Sequence, residues 1–417
     1  MVFDDFKFAQ DDARVLADKF KELYEAIRRK YGEAGYRLPL AAPERLIQLT
    51  ESAILAQVNH DIDATGKGNL LFFAGPDTIE HIGYLYGERG NKLLASSALT
   101  TMRYTLSVMR MTTTVVAEGS RTTADNKVFF ATIQPLEIPP GELYGDVEAK
   151  CQIPGIDGNG FEIGAIKNMV DLVPFVASAE NITPSAGGAE QEGLEEYRER
   201  LRMLPESFSV AGPDGAYEFW ARTANPGIID AKAWMPELDL TSFAEFLTPW
   251  GITDAAGFYT ALSNYFRESG TGPGNVNVAV LMKDGGVPSE EVKQQVAASL
   301  SDKPRRPLTD FVHVKDPEVV EFNINVKYWI ATDKATQASS IINAIENEND
   351  GVLQRFVHYQ RSRLGLDIVP DQLHNMIMAT GVKRIEIIEP EFTDLKSNQV
   401  GIFSGNLSVS YMGLEDA

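Results

Sequence analysis

The place to look first for chemistry in this chain is Asn59-His60-Asp61-Ile62-Asp63, where a histidine and two carboxylates supply the donor types of a metal-dependent phosphohydrolase. Such a centre needs further His and Asp ligands, and the whole sequence holds five histidines. The run reads better as a surface helix end. Asp157-Gly158-Asn159-Gly160 has part of a calcium loop, yet with Gly160 as the turn glycine the first ligand position falls on Gly155 and the bidentate last one on Ile166. A tight turn explains those glycines. Gly66-Lys67-Gly68-Asn69 lacks the longer spacing of a phosphate loop, and in Gly272-Pro273-Gly274 the proline has no amide to offer a phosphate. Cys151 has no histidine near it in sequence, and no Gly-x-Ser-x-Gly elbow is present. These readings leave no catalytic residue, no metal ligand set and no cofactor-binding motif, so the expectation is a protein that is not an enzyme.

The elements that would have to position any site fall into four blocks, an α+β multidomain plan. Residues 1–100 read as helical: Leu16, Phe20, Leu23, Tyr24 and Ile27 share a stripe at helical spacing, and Leu46, Ile47, Ile54 and Val58 repeat it over 44–59. These helices are long enough to reach outward or to pack on a neighbour. A third short helix carries Ile79, Ile82 and Tyr86. From Thr101 the period changes to alternation, so residues 101–225 read as a β-rich unit punctuated by Pro139-Pro140-Gly141 and by Pro154 to Gly160.

Residues 226–317 and 318–417 read as one plan used twice, two small α+β sandwich lobes with helices on one face of a sheet. Strands are expected at 228–234, 276–282 and 311–314, then at 322–330, 382–388 and 407–411. Helices are expected at 289–300, 336–346 and 371–378. The first lobe is interrupted by an insertion at 236–274, in which Phe258, Leu262, Tyr265 and Phe266 share a helical face. Aromatics at that spacing are usually core; in an excursion from the sheet they also suit a partner.

Within the second block lies Gly187-Gly188, followed by a segment whose charges are sorted by sign. Acids at 190, 192, 195 and 196 are expected in the first turns of a helix, where free amides are partly positive, with arginines at 198, 200 and 202 later. Glu196 and Arg200 stand four apart, in the favourable order. A glycine hinge and a charge-ordered helix suit docking or framework work, and Gly188→Val is expected to impair assembly more than stability.

Composition narrows the partners. The 417 residues carry 38 Lys and Arg against 59 Asp and Glu, a formal charge of −21, which argues against nucleic acid because phosphate binding needs clustered bases. An acidic chain also suits basic surfaces on partner subunits. One cysteine excludes an internal disulfide framework. With no signal-like start and no apolar run of bilayer length, the expected setting is assembly in a cytoplasm, without a membrane partner.

Several segments, in order, resemble the J-like baseplate proteins of contractile phage tails and related injection systems. Asn69 to Gly75, Ile79 to Arg89 and Ala98-Leu99-Thr100 look like the family's N-terminal motif, although Ile79-Glu80 stands where Leu-Asp is usual and Arg89 comes one residue early. Ile138-Pro139-Pro140-Gly141 resembles its Ile-Pro-x-Gly turn, Gly155 to Gly160 its Gly-Asn step, and Gly187 to Arg200 its strongest motif. The residues that carry the resemblance as structural or interface positions are Gly75, Gly87, Arg89, Gly141, Gly158, Asn159, Gly187, Gly188, Glu192, Glu195, Arg198 and Arg200. It implies a structural subunit of the baseplate wedge in a virion tail, paired with other copies of itself. The implied partners are a smaller wedge subunit, the hub and spike, and sheath-proximal baseplate proteins. It also implies a ring around the spike that rearranges when the sheath contracts. The alternative is a tail-associated hydrolase or polysaccharide-binding protein.

Overall fold

The computed structural model describes residues 6–9, 12–32, 34–209, 212–247, 255–283, 285–301 and 310–416. The chain divides into two compact units, Met1–Lys92 and Leu93–Ala417.

The first unit is helical, with α1 (Ala13–Lys30), α2 (Pro43–Gly68) and α3 (Pro76–Tyr84). Asp12 caps α1 by accepting from the Arg14 and Val15 amides, and prolines open α2 and α3 where no amide partner is needed. Helix α2 is longer than its apolar pattern predicts, so the 59–63 run lies inside it and Gly66-Lys67-Gly68 form its last turn. The extension is held by Asp63, which pairs with Lys67 at 2.8 Å and accepts from the Phe8 amide at 2.7 Å. Gly66 is required there, because a Cβ would lie 2.6 Å from the Phe8 ring. Along α2 the usual order is inverted: Gln48, Ser52, Ala56 and Asp63 are buried, while Leu46, Ile47, Ile54, Val58 and Ile62 are exposed.

The second unit opens with a β-rich domain of β1 (Leu99–Leu106), β2 (Thr114–Val116), β3 (Arg121–Thr123), β4 (Phe129–Thr132), β5 (Leu136–Ile138), β6 (Tyr144–Cys151), β7 (Asn168–Met169) and β8 (Val176–Asn181). Six of these form an antiparallel sheet in the order β7-β3-β4-β6-β1-β8, and β2 pairs with β5 separately. The sheet curls into a nearly closed barrel around Met102, Tyr104, Phe130, Val147, Ala149 and Ile166. Fully buried Asn181 on β8 helps close it: its Oδ1 accepts from the Ile166 amide at 2.9 Å, and its Nδ2 donates to the Glu162 carbonyl at 2.9 Å.

Next come α4 (Leu194–Met203), α5 (Asp214–Ala224), β9 (Ile228–Trp234), α6 (Leu240–Leu247), α7 (Ala255–Ser269), β10 (Asn275–Met282), α8 (Glu290–Leu300) and β11 (Phe311–Lys315). Strand β10 lies between β9, antiparallel, and β11, parallel. Helix α5 packs on β9 and α8 with Phe219 and Trp220 buried, an element that the sequence patterning above leaves unassigned.

The last lobe has β12 (Glu318–Ala331), α9 (Ala338–Glu346), α10 (Val352–Gln360), α11 (Pro370–Met378), β13 (Arg384–Glu389) and β14 (Gln399–Glu415). Its sheet runs β13-β12-β14, with β13 antiparallel and β14 parallel to the central strand. The two lobes therefore share a mixed three-stranded sheet but not a chain path, since the central strand is the second in one and the first in the other. Helices α9 to α11 cover one face through Ile345, Phe356, Leu373 and Ile377. The lobes are joined where Leu281 meets Leu364 and Val400, and where Asp230 Oδ2 accepts from the Leu364 amide at 3.0 Å.

Candidate functional site

Gly187 and Gly188 lie in an extended link that the barrel and the first lobe share. Gly187 has φ +87°, a left-handed conformation that a side chain resists. Gly188 has a different reason to be glycine: a Cβ would stand 2.4 Å from the Gly155 carbonyl oxygen and 3.1 Å from the Ala98 nitrogen. Asn159 reads the peptide as a strand would, accepting from the Gly188 amide at 2.9 Å and donating Nδ2 to the Gly188 carbonyl at 2.8 Å. Gly158 is just as tightly placed, with Cys151 and Ala98 side chains within 2.9 Å of where its Cβ would be. Ser185 donates its hydroxyl to the Gly158 carbonyl at 2.7 Å.

The opposite side of the link is held by the lobe. Asn225, buried just before β9, donates Nδ2 to the Gly187 carbonyl at 2.9 Å and to Gln295 Oε1 at 2.8 Å, while its Oδ1 accepts from the Gly227 amide at 2.8 Å. Ser96 adds a hydroxyl bond to the same Gly187 carbonyl at 2.9 Å. Segments near residues 96, 159, 187, 225 and 295 thus meet at one peptide pair.

Glu192 and Arg200 form the second half of the site. The guanidinium meets the carboxylate through two parallel bonds of 2.8 Å each, and the side chains are only 4% and 3% exposed. Glu192 Oε2 also accepts from the Leu93 amide at 3.0 Å, which ties in the start of the unit, and Arg200 lies over the Tyr197 ring at 5.3 Å. Helix α4 begins only at Leu194, with Gly193 as its cap, so residues 190 and 192 precede it. The expected Glu196–Arg200 pair does not form: Arg200 is turned inward to Glu192, and Glu196 pairs with Lys283 at 3.3 Å. Glu195 and Arg198 make an exposed pair at 3.2 Å along α4.

The remaining motif residues stand apart. Gly75 caps α3, and Gly87, at φ +64°, opens a short 3-10 turn that contains Arg89. Gly141, at φ +93°, donates its amide to the Arg110 carbonyl across a barrel turn. Phe258, Leu262, Tyr265 and Phe266 lie on α7, where the rings face α6: Phe243 stacks on Phe266 at 5.8 Å and Phe246 on Tyr265 at 4.6 Å.

One cleft of about 670 Å³ lies between α4, α5, β9 and the 362–366 segment. Its charges are largely matched in pairs, Arg202 with Glu199 at 2.6 Å and Lys232 with Glu218 at 3.2 Å. Burial pushes the Glu218 carboxyl up, against the pull of Lys232. Among the described residues no cluster of three or more His, Cys, Asp or Glu side chains is arranged to hold a metal, and no helix is long and apolar enough to cross a membrane.

Comparison with known proteins adds what geometry does not. Residues 105–188, from the end of β1 to the glycine pair, match the Baseplate J-like protein barrel domain, and residues 209–316, covering α5 to β11, match the Baseplate J-like central domain. Over these two stretches the chain is similar to the baseplate J-like family. The chain is 26% identical over 235 residues to baseplate protein J of Escherichia phage P2, an alignment spanning 56% of the chain and 63% of the P2 protein. Across 95% of its length it also aligns with a chain of the sixfold-symmetrised cryo-EM baseplate of the anti-feeding prophage, at 12% identity and a TM-score of 0.36. The glycine-pair junction therefore falls at the end of one matched domain, with Asn225 and Gln295 reaching it from the next.

Proposed function

We propose that this chain is a structural subunit of a contractile-tail baseplate wedge, joining other copies of itself and a smaller wedge subunit in a ring around the spike and hub. It acts within a virion tail and is put together in the host cytoplasm. The observation that carries the reading is the junction itself. A buried, hydrogen-bonded lock between two family domains makes one rigid block, which suits a part that transmits force.

The helical unit supports the same reading. A helix with Leu46, Ile47, Ile54, Val58 and Ile62 exposed and Ser52 buried is completed by an apolar helical partner, the role proposed for the smaller wedge subunit. The work is conformational: rigid blocks exchange one set of neighbours for another when the sheath contracts, and no bond is made or broken.

Cryo-electron microscopy of the native particle tests this directly. Density for the chain in the collar around the spike is expected. Particles that contain the protein elsewhere, or a purified chain that turns over a substrate, would overturn the proposal. Co-expression with the remaining tail proteins should yield a stable complex through the helical unit, and Ile54→Glu with Val58→Glu should abolish it while leaving the barrel folded.

A further inference from the structure

Strand β14 is the edge of its sheet: it pairs with β12, and among the described residues no strand lies on its other side. An edge of this length exposes a row of backbone donors and acceptors that another strand can take up. Its side chains point the same way. Leu407 and Tyr411 lie opposite Ile324 and Tyr328 of β12, on the face that α9 to α11 bury. The helices do not reach across to them, and Leu407 is left 49% and Tyr411 37% exposed. The apolar face of the sheet thus extends past its cover, at a strand with a free edge.

The sequence of this edge indicates what covers it. From Gly405 to Gly413 it reads Gly-Asn-Leu-Ser-Val-Ser-Tyr-Met-Gly, nearly the same in either direction about Val409. Antiparallel pairing of two such strands around Val409 sets Leu407 opposite Tyr411 of the other copy, Ser408 opposite Ser410 and Gly405 opposite Gly413. Opposed residues share a face, so both helical layers stay on one side and the two uncovered apolar rows close on each other. Gly405 and Gly413 have φ of +95° and +104° beside the register shifts against β12, and these breaks bound the straight part of the edge. Between Lys396 and Glu415 there is no charged residue. In a chain of net charge −21 this stretch is where two copies can meet without like charges facing.

We infer that β14 is a homotypic strand-addition site, in which a second copy of this chain pairs antiparallel about Val409 to make one continuous six-stranded sheet. The inference rests on the baseplate reading for its setting and deepens it, by naming the surface through which copies join.

The test uses the full-length chain in sedimentation and in disulfide trapping. The native protein is expected to sediment as a dimer at micromolar concentration. Leu407→Lys with Tyr411→Lys, which sets like charges opposite each other, should weaken the dimer at least about a hundredfold. Leu407→Lys with Tyr411→Glu sets opposite charges face to face and should restore it. Val409→Cys, a near-isosteric change, should cross-link to its own copy under mild oxidation. Leu414→Cys should not, since antiparallel pairing about Val409 holds those two cysteines about 33 Å apart. A native monomer, a dimer indifferent to the paired lysines, or equal cross-linking at both cysteines would each overturn the inference. A monomeric chain found in the baseplate collar removes this inference alone; a β14-linked dimer absent from the particle removes the baseplate reading alone.

Discussion

Glu192 grips Arg200 through two 2.8 Å bonds in a space that water hardly reaches, although the two residues stand eight apart and only Arg200 belongs to the helix. The pair closes the link that begins at Gly187 and brings Leu93 to the same carboxylate.

Breaking this pair should be costly in a non-additive way. Glu192→Ala or Arg200→Ala leaves one buried charge without its partner, at a cost of about 3–5 kcal/mol. The double variant should cost less than the sum of the two. Urea denaturation of the four proteins gives the coupling, and strictly additive losses would show that the pair is not a unit.

The two glycines should respond differently. Gly188→Ala drives a Cβ into the Gly155 carbonyl and should cost about 3 kcal/mol or more, whereas Gly187→Ala meets chiefly the flexible Gln295 amide and a left-handed φ, for about 1–2 kcal/mol. This differs from the expectation, drawn from the sequence, that a change at Gly188 acts on assembly more than on stability. Thermal melts of both variants give the order, and a Gly187→Ala protein less stable than Gly188→Ala would contradict it.

Asn225 is predicted to hold the lobe to the barrel through its amide rather than its bulk. Asn225→Asp keeps the shape but replaces the donor facing the Gly187 carbonyl with an acceptor, and each buried group left unmatched costs about 1–3 kcal/mol. Hydrogen exchange should show faster opening around residues 187–189 and α8. Unchanged protection there would mean that the lock lies elsewhere.

Around the α6–α7 hairpin, Phe266→Ala should loosen the hairpin itself. Its ring stacks on Phe243 at 5.8 Å and lies 5.8 Å from Tyr265, so the loss is one of internal packing of about 3 kcal/mol. Limited proteolysis of 236–274 reads this out; normal protease resistance together with loss of a binding partner would assign the ring to an interface instead.

The barrel carries an acid-sensitive contact. Arg121 donates its guanidinium and its backbone amide to Asp171, holding that carboxyl at about 2 against an ordinary 3.8. A folded value below the unfolded one means the stabilisation is complete above pH 3.8 and is lost as pH falls through about 2. The melting difference between the native chain and Asp171→Asn should be constant from pH 7 to 5 and vanish near pH 2. A difference that grows on acidification would reverse the sign.

Much of this architecture is legible in the chain because periodicity reports directly on burial. The change near Thr101 marks the barrel, and Phe322 to Ile330 marks the central strand of the last lobe, since alternate residues there are buried. The glycine pair was visible as a motif, but its action was not. Glu192 pairs across a bend that only the folded path creates, so a helical spacing rule points to Glu196 instead. Asn225 and Gln295 gave no signal, because a side-chain amide that holds a distant peptide looks like any surface residue until the chain is closed. Helix α5 was hidden for a related reason: with Ala216, Tyr217, Phe219, Trp220 and Ala221 all buried, its pattern is too broad to show one stripe.

The meeting of segments at Gly187 also bears on how such proteins can be cut and recombined. Family boundaries at 188 and 209 invite a gene fusion in which one barrel is exchanged for another. Asn159 would leave with the barrel, while Asn225 and Gln295 would remain to clasp a foreign peptide. Grafts that carry all three should fold, and those spliced at the domain border should come apart at the seam.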